Sequence, residues 1–370
     1  MNVEKLSLSP GVGELRGSLH TGRSLQKPLG NELDSTSGTI FLKNSRRDTP
    51  STGGGIPRRS GLCYTSGTTG DPKGVLFSHR STVLHTLASN TGASMGLRRS
   101  DVVLPFVPMF HVNGWGLPWS AAHAGAKLCL LAGPLDANAA AAFVADEGVT
   151  FAAGVPTVFF ELADGLEARS LARSLGEREP AALLSDRGRV VIGGAATPPA
   201  LADRYAATGC SVERSWGMTE LSPVGVLGPH SDDAAGRADG DARTAAGYEL
   251  YGVELRVVDP DTGAALPRDG ESQGELECRG PWTIRRYYGS SEDAVDENGW
   301  LRTGDVATLS GTGALRVRDR AKDVVKSGGE WISSTDLENV AVGHPLCGIP
   351  TDSRYLQLDR SGTNFWGLSL

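Results

Sequence analysis

The chain has 370 residues, 39% of them hydrophobic and 21% charged, with a formal net charge of −7; that length predicts two or three folding units, and the negative balance argues against a nucleic-acid partner. Its five cysteines, Cys63, Cys129, Cys210, Cys278 and Cys347, lie scattered without CxxC spacing, which indicates neither a disulfide framework nor a zinc site and fits a reducing compartment. The most apolar region, residues 102–135, is interrupted by His111, Asn113, His123 and Lys127, and the first thirty residues lack a signal-peptide core, so the expectation is a soluble, cytoplasmic chain with no membrane span.

Residues 1–55 are rich in Gly, Ser, Thr and Arg without a sustained period of 2 or 3.6, which predicts a poorly ordered segment. From Ser60 the texture changes. GLCYTS predicts a strand entering a loop, VLFSH a second strand, and STVLHTLASNTGASM a helix. DVVLPFVPMF is almost wholly apolar, as a strand buried on both faces would be, and GVTFAAGVPTVFFELADGL reads as strand, turn and helix,. RVVIGGAATPPALADRYAATG reads as a buried strand, a glycine pair and a helix with Thr197 as N-cap and proline in the first turn,. SVERSWGMTE again runs a strand into a polar loop. Such units predict an α/β fold with a mostly parallel sheet, whose ligands sit beyond the carboxyl ends of the strands. After Gly225 the pattern turns β-rich. VELRVVD, a DPDTG turn, GELECRG and the VATLSGTGALRVRD hairpin predict a small β-barrel-like subdomain over about residues 226–318,. A capping box of Thr335 and Glu338 predicts a further helix.

The stretch YTSGTTGDPKG concentrates glycines and hydroxyls around one cation. Gly67 and Gly70 let the backbone N–H groups turn inward, Thr65, Ser66, Thr68 and Thr69 add hydroxyl donors, and Lys73 adds charge. Such a concavity suits phosphate. It is not a Walker A loop, because Gly67 and Gly70 stand too close together and Gly74 rather than Ser or Thr follows the lysine. On composition alone a surface Gly/Thr loop is the competing reading.

Taken in order, TSGTTGDPKG, IGGAATPP, WGMTE, GWLRTGD and DRAKDVVKSGGEW resemble the signature motifs of the adenylate-forming (AMP-binding) superfamily. Within it, PMFHVNGWG and DVVKSGGEWISS are most similar to medium- and long-chain fatty acyl-CoA synthetases. The resemblance covers roughly residues 60–345. It implies an α/β fold: a large N-terminal domain of mixed, mostly parallel sheets with helices and the β-rich subdomain (residues 56–318), then a hinge and the start of a small α+β C-terminal domain (319–345), with 346–370 a tail outside the family pattern. It implies ATP, Mg²⁺ and CoA as small-molecule partners, an acyl-adenylate intermediate, and leaves a homodimer open.

The resemblance also assigns roles. The loop Thr65, Ser66, Gly67, Thr68, Thr69, Gly70 and Lys73 would hold the β- and γ-phosphates. Glu220 would bind Mg²⁺, with Thr65 a second ligand, oxygen donors of the kind that ion takes. Trp216, followed by Gly217 and Met218, would lie against the adenine, with Gly193, Gly194 and Ala195 at its other edge. Thr219 would reach the α-phosphate. Asp305 would accept from both ribose hydroxyls beside Arg320, Lys322 would sit at the hinge, and Lys326, Gly329 and Trp331 would close over the adenylate and line the thiol tunnel. His111 and Trp115 would border the acyl tunnel. The competing readings are structural: Asp305 a turn aspartate, Glu220 an exposed loop carboxylate, Trp216 plain core, Arg320 and Lys322 a solvated charge run, His111 and Trp115 a core pair.

Two departures bear on activity. Some sixty residues precede the phosphate loop where family members carry well over a hundred, and after Gly343-His344-Pro345 no family pattern continues, so the expected adenylation lysine is missing. The expectation is an acyl-CoA synthetase impaired by truncation, slowed by orders of magnitude in its first half-reaction, with nucleotide binding retained. A non-catalytic nucleotide- or acyl-CoA-binding module and a nonfunctional fragment are the alternatives.

Overall fold

The structure is a computed structural model that describes residues 39–40, 59–65, 72–92, 94–131, 136–173, 183, 185, 187–229, 245–321, 325–327 and 330–332. β1 (Thr39–Ile40), β2 (Gly61–Thr65) and β3 (Lys73–Phe77) form an antiparallel sheet. β1 falls in the stretch expected to lack order. Its two β-branched residues pair with Cys63 and Leu62, as β-branched side chains favour. α1 (His79–Ser89) opens on a reciprocal cap: Ser81 N–H donates to Ser78 Oγ at 2.9 Å and Ser78 N–H to Ser81 Oγ at 3.0 Å,. It stops short of the longer helix expected from the apolar spacing, because the Asn90 side chain turns out to accept the Leu97 N–H at 2.8 Å, a local bond that competes with the helix ladder.

The main sheet contains β4 (Val102–Pro105), β5 (Lys127–Leu128), β6 (Phe151–Gly154), β7 (Arg189–Gly193), β8 (Ser211–Gly217), β9 (Val224–Pro229) and β10 (Tyr248–Glu249), in the order β10-β9-β8-β7-β6-β4-β5. β8 through β5 are parallel and β9 and β10 antiparallel. The connections carry α2 (Val112–Trp115), α3 (Leu117–Ala124), α4 (Ala137–Glu147), α5 (Pro156–Arg173) and α6 (Pro199–Ala206). Strand side chains alternate. Val103, Phe151, Ala153 and Val191 therefore share a core with Ala88 of α1 and Leu117 and Ala121 of α3. Leu104, Ala152, Val190 and Ile192 face Val144, Phe159, Leu201 and Tyr205 of α4, α5 and α6. Both faces are covered, which is why these strands read as unbroken apolar runs.

The start of α6 differs from the expectation. Pro198, not Thr197, is the N-cap residue, at φ −58° and ψ 133°, and the Thr197 hydroxyl donates to the Ile192 carbonyl at 3.4 Å. Pro199 holds the residue before it in extended backbone, so the helix can begin only after Pro198.

β11 (Glu254–Val258), β12 (Gly274–Arg279), β13 (Leu301–Leu309) and β14 (Leu315–Arg320) form a separate four-stranded antiparallel sheet, ordered as in sequence. β9 and β10 belong to the main sheet, so residue 226 lies inside a main-sheet strand. The inward residues of the second sheet, among them Leu255, Val257, Leu276, Leu301 and Leu315, continue one core with Trp216, Val224 and Val226. The sheets are thus packed directly against the end of β8. β15 (Val325–Ser327) pairs antiparallel with β16 (Glu330–Ile332). The helix expected at Thr335 lies outside the described residues. Among the described residues no helix is long and apolar enough to cross a membrane.

A buried histidine and a half-buried glutamate oppose each other in their pH response. His85 is buried, accepts the Val224 N–H on Nε2 at 3.1 Å and meets Trp282 edge-on at 5.9 Å between ring centroids. Burial lowers its pKa from 6.5 to about 4, so the stability it permits above pH 6.5 is lost as pH falls towards 4. On β8, burial raises the Glu213 pKa from 4.5 to about 7 against the pull of Arg189, and its Oε2 is buried without a hydrogen bond. Here the sign reverses: the folded chain holds a proton that the unfolded chain releases above pH 4.5, so stability falls as pH rises from 4.5 through 7. Urea titrations of the wild type and Glu213→Gln isolate that group. The wild type should lose about 1.4 kcal/mol per pH unit relative to the variant across that window. A difference independent of pH would contradict the assignment.

Candidate functional site

β7 and β8 are adjacent and parallel, so Gly193 and Gly217 end at the same carboxyl edge of the main sheet. The glycine pair of IGGAATPP begins at Gly193, which is buried, while Gly194 and Ala195 are exposed. Gly194 has φ +78°, and a Cβ there would stand 3.2 Å from Val155 Cγ1 and 3.3 Å from Trp115 Cζ2. Glycine is therefore required twice, for the left-handed backbone and for the indole packed against it. A Cβ at Gly217 would overlap the Pro223 carbonyl oxygen. That close approach lets Met218 N–H donate to Pro223 O at 3.0 Å and closes a short loop. Thr219, half-buried, opens the 3-10 turn Thr219–Leu221, and the following Ser222–Pro223 bond is cis.

Trp216 of β8 is buried in the shared core, and its Nε1–H donates to Asp305 Oδ2 at 2.8 Å. Asp305, on β13 and 4% exposed, takes Arg320 Nε on its other oxygen at 2.8 Å. Asp305 and Arg320 are cross-strand partners in the β13–β14 register. Burial raises the Asp305 carboxyl above the usual range, opposed by the Arg320 charge and the Trp216 hydrogen bond,. The sequence order gave no hint that Trp216 and Asp305, 89 positions apart, touch.

Glu220 is buried at 6% exposure, which rules out the reading of an exposed loop carboxylate. Tyr287 O–H donates to its Oε1 at 2.7 Å. Lys73 Nζ lies 5.0 Å over the Tyr287 ring centroid, a cation–π distance,. Lys73 is exposed at the start of β3, cross-strand from Thr65, whose hydroxyl donates to the Lys73 carbonyl at 3.4 Å. Lys73 and Glu220 are therefore linked through one aromatic residue, and Thr65 is tied to Lys73 through the strand pair. Tyr287 was missed by the sequence reading; its only signal was an aromatic pair in the otherwise basic RRYYG.

His111 is exposed and its ring meets that of Phe110 at a 50° tilt, 4.8 Å between centroids, so it is no core residue. Trp115 is half-buried with φ +54° and lies against Gly194. Lys326 and Trp331 are paired across β15 and β16. Ser66, Gly67, Thr68, Thr69, Gly70, Lys322 and Gly329 lie outside the described residues.

A model of the AMP-binding enzyme family matches residues 59–288. The chain belongs to that family. It is 46% identical over 290 residues to a medium-chain-fatty-acid–CoA ligase of Ectopseudomonas oleovorans, covering 77% of this chain and 51% of the relative. It is 46% identical over 305 residues to a 3-methylmercaptopropionyl-CoA ligase of Ruegeria pomeroyi, covering 79% and 54%. Among solved structures it is similar to the AMP-binding fold of O-succinylbenzoate coenzyme A synthetase from Bacillus subtilis in complex with ATP and magnesium ion, at TM-score 0.62 and 27% identity over 77% of this chain and 55% of that one. The chain spans about half the length of the curated relatives it matches. The α/β architecture expected from the family motifs agrees with these neighbours.

Proposed function

We propose that this chain is the nucleotide-binding core of an ATP-dependent acyl-CoA synthetase acting on an aliphatic carboxylic acid. The observation that carries the reading is the convergence of Lys73, Glu220, Asp305 and Arg320 beside the carboxyl ends of β7 and β8. Ligands of parallel α/β sheets gather at that edge.

A carboxylate is a poor acyl donor because its leaving group would be oxide. Attack of its oxygen on the α-phosphate of ATP forms the acyl–phosphate bond and expels pyrophosphate. The thiol of CoA then attacks the acyl carbon and AMP leaves. Lys73 and the Thr65–Gly70 loop bind the β- and γ-phosphates, Thr219 donates to the α-phosphate, and Asp305 accepts from the ribose hydroxyls with Arg320 beside it. Trp216 and the Gly193–Ala195 edge flank the base. Trp115 and Val155 line the apolar entry for the acyl chain beside Gly194, near His111. Lys326, Gly329 and Trp331 close over the adenylate.

The residues fit a magnesium ion brought by the nucleotide. Glu220 keeps Oε2 clear of any hydrogen bond from a described residue, and among the described residues no group of three or more His, Cys, Asp or Glu could hold a metal by itself. One carboxylate, the Thr65 hydroxyl and phosphate oxygens make the usual Mg²⁺ set. When bound, that ion withdraws charge from the phosphates as the P–O bond breaks.

The test is acid-dependent ATP–pyrophosphate exchange with C6 to C18 fatty acids and 3-methylmercaptopropionate. The expected result is exchange that requires both an acid and magnesium. ATP binding without exchange for any acid would reject the activity.

A further inference from the structure

We infer that Tyr287 is a positioning residue for the metal-binding carboxylate, holding Glu220 Oε1 by its hydroxyl and separating that carboxylate from Lys73 by its ring. The inference rests on the nucleotide-binding reading above and adds a residue to it.

Backbone bonds fix Tyr287 from both sides. Ile284 N–H donates to the Glu220 carbonyl at 3.0 Å, and Tyr288 N–H donates to the Gly74 carbonyl at 2.7 Å. The segment between them therefore bridges the Glu220 turn and the β2–β3 hairpin. Ile284 joins Cys63, Val75 and Phe77 in a small core beneath the hairpin. Within this bridge the half-buried Tyr287 ring faces two opposite charges. Its hydroxyl meets Glu220 at 2.7 Å, and its face carries Lys73 at 5.0 Å.

Lys73 and Glu220 thus meet the same phenol at different places, the ring face and the hydroxyl. Here Lys73 forms no ion pair with a described residue. The aromatic spacer would let the cation meet phosphate oxygens and the carboxylate the metal that the nucleotide brings. With Oε1 taken by the phenol, the rotamer of Glu220 is set and Oε2 is the oxygen left for the metal.

The experiment uses Mn²⁺ as the probe, followed by electron paramagnetic resonance in the presence of α,β-methylene-ATP, with AMP binding measured separately by calorimetry. Tyr287→Phe keeps the ring and both backbone anchors and removes only the hydroxyl. The Mn²⁺ dissociation constant should rise about tenfold, the usual cost of losing a hydrogen bond to a charged group, while AMP affinity stays within about twofold and so also reports that the variant is folded. In a Glu220→Gln background the same change should add less than about twofold, since the two residues act as one unit. Equal weakening of AMP and Mn²⁺ binding, no change in either, or a full additional loss in the Glu220→Gln background would overturn the role of Tyr287 and leave the nucleotide site standing. A wild-type chain that binds neither AMP nor the Mn²⁺ complex would overturn the site and this inference with it.

Discussion

Asp305→Asn should lower AMP affinity about a hundredfold while leaving the unfolding free energy within about 1 kcal/mol of the wild type. The two halves of that expectation come from different physics. In the unliganded fold the carboxylate is nearly inaccessible, and burial raises its pKa despite Arg320 and Trp216. The charge is thus not retained for stability, because its partner Arg320 is 55% exposed and an ion pair with so exposed a partner is weak support for a fold,. Asparagine preserves an oxygen for the Trp216 N–H, and Arg320, whose side chain is 55% exposed, can turn its freed N–H to water. It cannot match a carboxylate accepting from two ribose hydroxyls, since each charge-assisted bond contributes about 1.5–3 kcal/mol. Calorimetric AMP titration beside urea unfolding reads both quantities on the same protein. A large stability loss with unchanged AMP affinity would make Asp305 structural.

Gly217→Ala should destabilise the chain by roughly 3 kcal/mol or more, at the upper end for a single added methyl group. A Cβ at this position meets only main chain: it overlaps the Pro223 carbonyl oxygen and stands 2.9 Å from its carbon and 3.0 Å from Val224 Cα. No rotamer change can relieve that contact. β8 and β9 must separate where Gly217 pairs with Val224, beside the bulge at Trp216 and Gly217. The damage spreads to both halves of the site, because Trp216 precedes the glycine and the turn bearing Glu220 follows it. The urea midpoint should drop sharply, and the surviving folded fraction should bind Mg·ATP more weakly. An unchanged midpoint would show that the loop tolerates a side chain and that its closure does not depend on this approach.

Much of the fold was legible from local pattern. Apolar runs such as VVLP and RVVIG announced strands covered on both faces, whereas most of the hydroxyl–glycine loop lies outside the described residues. What stayed hidden depended on tertiary contact. Nothing around Tyr287 marks it as the partner of a glutamate 67 positions away, because an aromatic pair in a basic turn has no period and no spacing rule. The Trp216–Asp305 bond was invisible for the same reason, and the resemblance had assigned both residues to the ligand without joining them. The early end of α1 and the shifted start of α6 were local errors of a different kind. At α1 a side-chain bond outweighed apolar spacing, and at α6 a proline neighbour outweighed the capping signal of Thr197,.

The most direct test is calorimetric titration of the wild type and Lys73→Ala with Mg·ATP and with AMP. The account predicts that the wild type binds both in a 1:1 complex, and that Lys73→Ala weakens Mg·ATP by about tenfold while leaving AMP unchanged, because in the proposed site the cation meets only the outer phosphates. A wild type that binds neither nucleotide, or a variant whose Mg·ATP affinity equals that of the wild type, would contradict it.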